Sequence, residues 1–325
     1  MEETRPFAAA PVNPGADFSG EPAVSLRFSA RPGVLRSILN TTLPKRRWDP
    51  ARGFPHFQAT WEEHRAGSFG LRTFLELTGL RLQDENLPSL YFHVLGFPLQ
   101  FAVLTHWAYP IYTWRVRQVR NHLLLHRPLR VGTPVRMTSR VTDWRILDRR
   151  QEVDFYSRVD DEAGLVWESL NSYYNPARGD RIHSPSPLAA SPLPPEALVE
   201  RWRLPVGGGL RFGRLTGDFN GVHWWRLYAR LLGSPFTFFH MQRVLGFCLA
   251  RLPELPPGQP QRLDAWLKGP LPYGRDVGLY AAPNAEDGRF ALRLEGDPRA
   301  AVVGWLRTVP KESSLVNAQG KPVPP

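Results

Sequence analysis

Asp218, Asn220 and His223 fall within six consecutive positions, between Gly217 and an aromatic-rich run toward His240 that reads as a helix. A carboxylate and a neutral imidazole that share one water can pass a proton in either direction near pH 7, because their surroundings can separate their pKa values. The same residues also suit a plain polar turn that caps the next helix, with Asp218 or Asn220 accepting backbone N–H bonds. Spacing alone leaves both readings open.

The elements that must position these residues follow from composition and pattern. The 325 residues are 42% hydrophobic and 12% aromatic, enough for a globular core, and 41 Lys plus Arg against 30 Asp plus Glu leave a net charge of +11. An anionic partner follows from that excess: nucleic acid, a membrane surface or a phosphate-bearing carrier. The cations are scattered, with no block of five or six and no recognisable nucleic-acid module, so nucleic-acid binding is not expected. Tyr91 to Trp114 carries no charged residue, yet Pro98, Pro110, His93, Gln100 and His106 interrupt it, so a buried helix followed by a turn is expected rather than a transmembrane segment. The single cysteine, Cys248, sits in an apolar helical run and reads as a packed thiol. The start of the chain lacks the pattern of a secretion signal, and a cytoplasmic location is expected.

The two halves answer each other in order. Leu77-Thr78-Gly79 matches Leu215-Thr216-Gly217, and the segment from Pro88 to His93 matches that from Pro235 to His240. Pro128-Leu129 with Gly132 and Val135 matches Pro270-Leu271 with Gly274 and Val277. Such ordered matches suggest a duplicated unit. The offset moves from 138 to 147 between the first two matches, which gives the second copy nine extra residues, Asp218 to His223 among them. Each unit reads as a short strand, a long apolar helix and several strands, an α+β plan. Helices are expected over 89–105 and 236–251. Alternation predicts strands over 115–121, 135–146, 152–160 and 165–174, then over 261–268, 277–282, 290–295 and 301–308. The domain expectation is a partly loose extension over 1–64 and a first unit over 65–175. A Pro/Ser-rich linker over 176–205, with a short helix around 195–202, leads to a second unit over 206–310 and a flexible tail over 311–325. A short helix near 33–43, followed by Lys45-Arg46-Arg47, either lies along the fold or touches an anionic membrane.

Thr216-Gly217-Asp218-Phe219-Asn220-Gly221-Val222-His223, followed after five intervening residues by Ala229, resembles the hydratase motif of the MaoC-like acyl dehydratases, relatives of the (R)-specific enoyl-CoA hydratases. The first half, from Leu87-Pro88 through Val119-Arg120-Asn121 to Val166-Trp167-Glu168, resembles the degenerate domain of their double-hotdog members. The resemblance implies two hotdog units, each a long antiparallel sheet wrapped around a central helix, packed as an internal pseudo-dimer. It also implies reversible hydration of 2-enoyl thioesters and dehydration of 3-hydroxyacyl thioesters. In that role Asp218 and His223 hold the water, Asn220 and Gly217 support their loop, and the helix start at His240 and Met241 supplies the oxyanion donor. No cofactor or metal is implied beyond the CoA or carrier phosphopantetheine of the substrate, so the expected partner is an acyl-CoA or an acyl carrier protein, with a homodimer left open. Gly221 stands where the family has proline, which loosens the loop, and Met241 stands where it has glycine, which narrows the site or points away from it. A non-catalytic acyl-binding scaffold and a thioesterase are the alternatives on the same fold.

Other candidates have plainer readings. Asp84 and Glu85 lack a histidine at the required spacing, so the first half carries no second site. His122 and His126 lie four apart without a completing ligand nearby in sequence and read as ordinary histidines. Gly207-Gly208-Gly209 reads as a hinge into a strand, Asn40-Thr-Thr as a sequon without meaning in a cytoplasmic protein, and the eleven tryptophans as core and tunnel lining.

Overall fold

The computed structural model describes residues 24–45, 54–113, 116–148, 150–176, 182–256, 258–282 and 287–324. The expected loose N-terminal twenty residues, and Arg46 and Arg47, lie outside them. In chain order the elements are β1 (Val24–Phe28), α1 (Val34–Asn40), β2 (Phe57–Arg65), α2 (Leu71–Thr78), α3 (Ser89–Thr105), β3 (Arg117–Leu125), β4 (Pro134–Leu147), β5 (Arg150–Asp161) and β6 (Gly164–Pro176). The second half continues with β7 (Ala197–Arg203), α4 (Gly209–Thr216), a 3₁₀ turn (Gly221–His223), α5 (Arg226–Leu231), α6 (Met241–Leu249), β8 (Gln261–Leu267), β9 (Asp276–Ala281), β10 (Arg289–Leu294) and β11 (Ala300–Thr308).

The eleven strands form one sheet in the order β1-β2-β4-β5-β6-β3-β8-β11-β10-β9-β7, antiparallel except for the β1–β2 edge. Its centre is the β3–β8 seam, where His122 pairs with Asp264 and Asn121 with Ala265. Outward from the seam run β6, β5, β4 and β2 on one side and β11, β10, β9 and β7 on the other, a mirrored order that makes the molecule a double hotdog. The uncharged stretch in α3 is buried along its length except at Ser89 and Phe101, and the helix touches all five strands from β2 to β6. Each fully buried large apolar side chain of that helix contributes about 1.5–3 kcal/mol, which offsets the backbone donor missing at Pro98.

Short helices precede both central helices, where a short strand was expected, in the second half with a glycine hinge leading into it. The glycine run Gly207-Gly208-Gly209 opens α4, with Gly208 at φ +93°. Helices α2 and α4 end alike: Thr78 and Thr216 donate their hydroxyls to the carbonyls of Phe74 and Phe212, and Gly79 and Gly217 turn the chain with left-handed φ. The central helices then fix the true correspondence of the halves. Leu87 N–H donates to Leu129 C=O as Phe239 N–H donates to Leu271 C=O, so Pro88 and His240 are the equivalent positions that open α3 and α6. The same register sets Tyr91, whose hydroxyl donates to Phe69 C=O at 2.6 Å, against Arg243, whose guanidinium donates to Gly207 C=O at 2.7 Å and Leu77 C=O at 3.0 Å. Leu87 and Phe239 are 152 apart whereas Gly79 and Gly217 are 138 apart, so the insertion is fourteen residues rather than nine. The Pro-to-His match was a coincidence of composition.

Two further expectations are corrected. The short helix expected around 195–202 is strand β7, paired with β9, and it occupies the place that β2 holds in the first half. The C-terminal tail expected to be flexible is packed. Leu315 and Val316 are buried, and the Glu168 carboxylate accepts from Leu315 N–H, Ser314 Oγ, Tyr156 Oη and His126 Nε2. His122 likewise has an acid partner from far along the chain: its Nδ1 lies 2.7 Å from Asp264 Oδ1, and Arg262 and Arg307 hold the same carboxylate.

Candidate active site

The loop that links α4 to α6 builds the site from successive local bonds. Thr216 Oγ1 accepts from Asp218 N–H at 3.1 Å. Asp218 Oδ1 then accepts from Asn220 N–H at 3.1 Å, an Asx turn that leaves Oδ2 free to face His223. Asn220 Oδ1 accepts from Val222 N–H at 3.3 Å and so caps the 3₁₀ turn that carries His223. The capping role weighed against chemistry at these residues is therefore present, and it is also what aims the catalytic candidates.

His223 Nε2 lies 3.7 Å from Asp218 Oδ2. Its Nδ1 lies 2.9 Å from the Phe238 carbonyl, which can only accept, so Nδ1 carries the proton and Nε2 presents its lone pair toward Asp218. Burial holds the His223 pKa below the ordinary imidazole value although the Asp218 charge pulls it upward, so the ring is neutral near pH 7. His240 stacks on His223 with centroids 3.8 Å apart, and its Nε2 donates to the Asp218 carbonyl at 3.1 Å. Burial, with His223 adding to it, keeps His240 well below the usual range and neutral. Asp218 keeps a quarter of its side chain exposed, whereas His240 is almost wholly enclosed.

Helix α4 backs this loop through two glycines one turn apart. A Cβ on Gly209 would stand 2.0 Å from the His223 carbonyl and one on Gly213 would stand 2.7 Å from the Asp218 carbonyl. Tyr273 Oη donates to the His223 carbonyl at 2.9 Å. Gly213, Phe238 and Tyr273 did not stand out from sequence and Gly209 did so only as part of a hinge, although the Gly209, Gly213, Gly217 spacing of four marks one helix face. Gly221 does not leave the loop loose: the Tyr228 ring packs where a Cβ would sit, 2.6 Å away, and Trp225 N–H donates to Gly221 C=O at 2.7 Å.

Asp218, His223, His240 and Met241 all border a cavity of about 790 Å³. The N–H groups of Met241 and Gln242 begin α6 and have no carbonyl within the helix to reach. Met241 forms part of the cavity wall, packed on one side against the main core. The first half supplies Phe97, Phe101, Leu104, Gln118 and Tyr173 to the same cavity. Gln242 Nε2 donates to Gln118 Oε1 at 2.7 Å across the halves, and Tyr173 Oη donates to Gln100 Oε1. Asp84 and Glu85 lie elsewhere, exposed at the tip of a tight turn. Asp218, His223 and His240 bring one ligand atom each within 4.8 Å of one another, a set with the donor types of a divalent-cation site.

No protein-family model matches the chain. It is 25% identical over 246 residues to 3-hydroxyacyl-thioester dehydratase X of Mycobacterium tuberculosis (strain ATCC 25618 / H37Rv), covering 74% of this chain and 84% of that protein. The crystal structure of HtdX from Mycobacterium tuberculosis superposes with a TM-score of 0.62 at 22% identity, over 78% of this chain and all of that one. A MaoC-like dehydratase from Phytophthora capsici superposes with a TM-score of 0.60 at 14% identity, over 79% of this chain and 96% of that one. The chain shares the fold of these dehydratases.

Proposed function

We propose that this chain is a hydro-lyase that reversibly hydrates 2-enoyl thioesters and dehydrates 3-hydroxyacyl thioesters, with water activated between Asp218 and His223. The observation that carries the reading is the 3.7 Å gap between Asp218 Oδ2 and a His223 Nε2 whose lone pair is set free by the bond to Phe238. One water fits about 2.8 Å from both atoms. The likeness to 3-hydroxyacyl-thioester dehydratase X supports the same reading.

In the hydration direction the water oxygen bonds to C3 of the enoyl thioester while His223 Nε2 takes one of its protons. The resulting imidazolium is stabilised by the Asp218 carboxylate, and its proton passes to C2, so that H and OH have been added across the double bond. Charge that builds on the thioester oxygen between these events meets the free amides of Met241 and Gln242 at the start of α6, which carries the positive end of the helix dipole. His240 acts through Asp218: its Nε2–H holds the Asp218 carbonyl and its ring supports the face of His223. These bonds also favour proton transfer over metal binding in our reading. The Nε2 of His240 is committed to a carbonyl, and the stacked rings, 25° from parallel, do not converge their nitrogens on one point.

The substrate's CoA or phosphopantetheine arm is the only cofactor-like group that the reading requires, and nucleic acid has no part in it. No helix among the described residues is long and apolar enough to cross a membrane, and we place the activity in the cytoplasm. The test is the absorbance of the enoyl-thioester band with a crotonyl-type substrate, with a saturated acyl-CoA as the control for hydrolysis. Loss of the enoyl band without thiol release supports the hydratase. Thiol release from the saturated substrate would identify a thioesterase, and binding without turnover a scaffold.

A further inference from the structure

Of the seventeen large apolar side chains left exposed among the described residues, ten lie on three segments that border the cavity. On α1, whose Ile38 lines the cavity, Leu35 and Leu39 are 79% and 69% exposed, and Leu43 lies just beyond. After α3, Trp107 and Tyr112 stand out beside the lining residue Thr113. In the second half, Trp224 and Trp225 lead into α5, where Leu227 and Leu231 are 57% and 76% exposed and flank the lining residue Tyr228 in sequence. Residues 34–45, 107–113 and 224–236 contain no Asp or Glu. Arg36, Arg226 and Arg230 are exposed among these apolar groups, with no ion pair among the described residues.

We propose that this rim docks on the surface of an anionic lipid bilayer and opens the cavity toward the membrane. Leucines and tryptophans beside exposed arginines are the composition of an interfacial anchor, in which apolar groups enter the headgroup boundary and cations meet anionic lipid. A second copy of the chain fits less well. A two-fold contact would set Arg36, Arg226 and Arg230 near their own copies with no carboxylate in these segments to neutralise them. An acidic carrier protein would satisfy the three cations but leave most of the exposed apolar surface without a partner. The benefit to the reaction rests on the acyl-thioester reading of the cavity, since a long acyl chain would pass from lipid into Phe97, Phe101 and Leu104 without crossing water. The docking itself rests only on the surface.

The experiment is co-sedimentation of the full chain with vesicles of phosphatidylcholine and phosphatidylglycerol in equal parts, and with phosphatidylcholine alone. The chain should bind the anionic vesicles, more weakly as salt is raised. Leu227→Ser/Leu231→Ser and Leu35→Ser/Leu39→Ser should each weaken binding at least about tenfold. Arg226→Glu/Arg230→Glu should abolish the preference for anionic lipid, at about fivefold per cation removed. Hydration of a short soluble thioester should stay within about twofold in the leucine variants, which shows that fold and site are intact. Vesicle binding that persists in a chain without turnover would sink the hydratase reading and leave this one standing. Wild-type chain remaining in solution at about 1 mM anionic lipid would overturn the proposal. So would leucine variants that bind like wild type, a wild-type dimer that these variants convert to monomer, or loss of carrier-protein binding in the variants with no vesicle binding at all.

Discussion

The two halves of this molecule end the short helix before their central one, α2 and α4, with the same Leu-Thr-Gly turn and then diverge. In the first half the chain goes from Gly79 to Leu87 by a tight turn in which Asp84 and Glu85 both hold positive φ, at 49° and 63°. In the second half the equivalent path, from Gly217 to Phe239, is fourteen residues longer and carries Asp218, Asn220, His223 and α5. The two central helices also begin differently. Helix α3 opens on Pro88 and Ser89, and Ser89 Oγ accepts from Trp167 Nε1, whereas α6 opens on His240 beside the cavity. One frame thus supports either a closed turn or a loop that carries the proposed acid–base pair, and the two paths differ by a fourteen-residue insertion. The half without the loop still contributes, because its long helix and its strands β3 and β6 wall the cavity.

The largest effect that separates the halves should come from the pair itself. Asp218→Asn or His223→Ala should lower kcat/KM for hydration by about 10²–10⁴-fold, the usual worth of a positioned acid–base group. The double variant should lose little more than either single one, because in the proposed mechanism the two groups act on one water. Steady-state rates with a short enoyl thioester measure this, and near-wild-type turnover in both single variants would remove the pair from the mechanism.

Next comes the support beneath the loop. Gly209→Ala places a methyl group against the His223 carbonyl, where backbone rather than a flexible side chain must give way. We expect a destabilisation of about 1–3 kcal/mol from overpacking. A displaced imidazole should also cost about tenfold to a hundredfold in kcat, with a smaller change in KM. Chemical denaturation and steady-state kinetics on the same preparation separate the two effects. The first half supplies the contrast at the equivalent opening position of α2, where Leu71 stands in place of Gly209.

Acid should affect the halves differently. Burial lowers the pKa of His93 on α3 to about 3, so the folded chain excludes a proton that the unfolded chain accepts at about 6.5. Its contribution to stability is complete above the unfolded value and is lost as pH falls toward the folded one, by about 1.4 kcal/mol per pH unit between them. Unfolding free energies at pH 6.5 and 4.5, from chemical denaturation, should therefore differ by roughly 2–3 kcal/mol more in wild type than in His93→Gln. The pH–rate profile reads His223 instead. Activity should fall on the acid side below the ordinary imidazole range, because burial lowers that pKa and protonation removes the base. His93→Gln should leave that acid limb in place; a shift in it would tie the two halves together electrostatically.

Much of this architecture can be read along the chain because its signals are local. The uncharged run over 89–105 identifies α3, alternation identifies β3 to β6 and β8 to β11 but not β1 or β2, and the site residues from Thr216 to His223 lie within one short segment. What escaped is non-local or lacks a period. Strand β7 is exposed on both faces apart from Trp202, so no alternation marks it, and a run such as Ala-Leu-Val-Glu suits a helix as well. The tail order depends on Glu168, nearly 150 positions upstream, and His122 meets Asp264 only because β3 and β8 are neighbours in the sheet. The tautomer of His223 depends on the carbonyl of Phe238, a backbone atom whose position no residue type encodes.

The smallest effect tests the closed turn. Positive φ at two consecutive residues is the geometry of a type I′ hairpin, which Asn-Gly adopts readily and which costs Glu85 strain against its Cβ. Asp84→Asn/Glu85→Gly should therefore stabilise the chain, by about 0.5–1 kcal/mol once the greater freedom of glycine in the unfolded chain is set against the strain relieved. It should leave hydration within about twofold, since both carboxylates are exposed at the turn tip and take no part in lining the cavity. Thermal denaturation and the enoyl-band assay read the two outcomes independently. A tenfold loss of activity in a stabilised chain would mean that the first half holds carboxylate chemistry of its own, and the contrast between a silent turn and a reactive loop would fail at its simplest point.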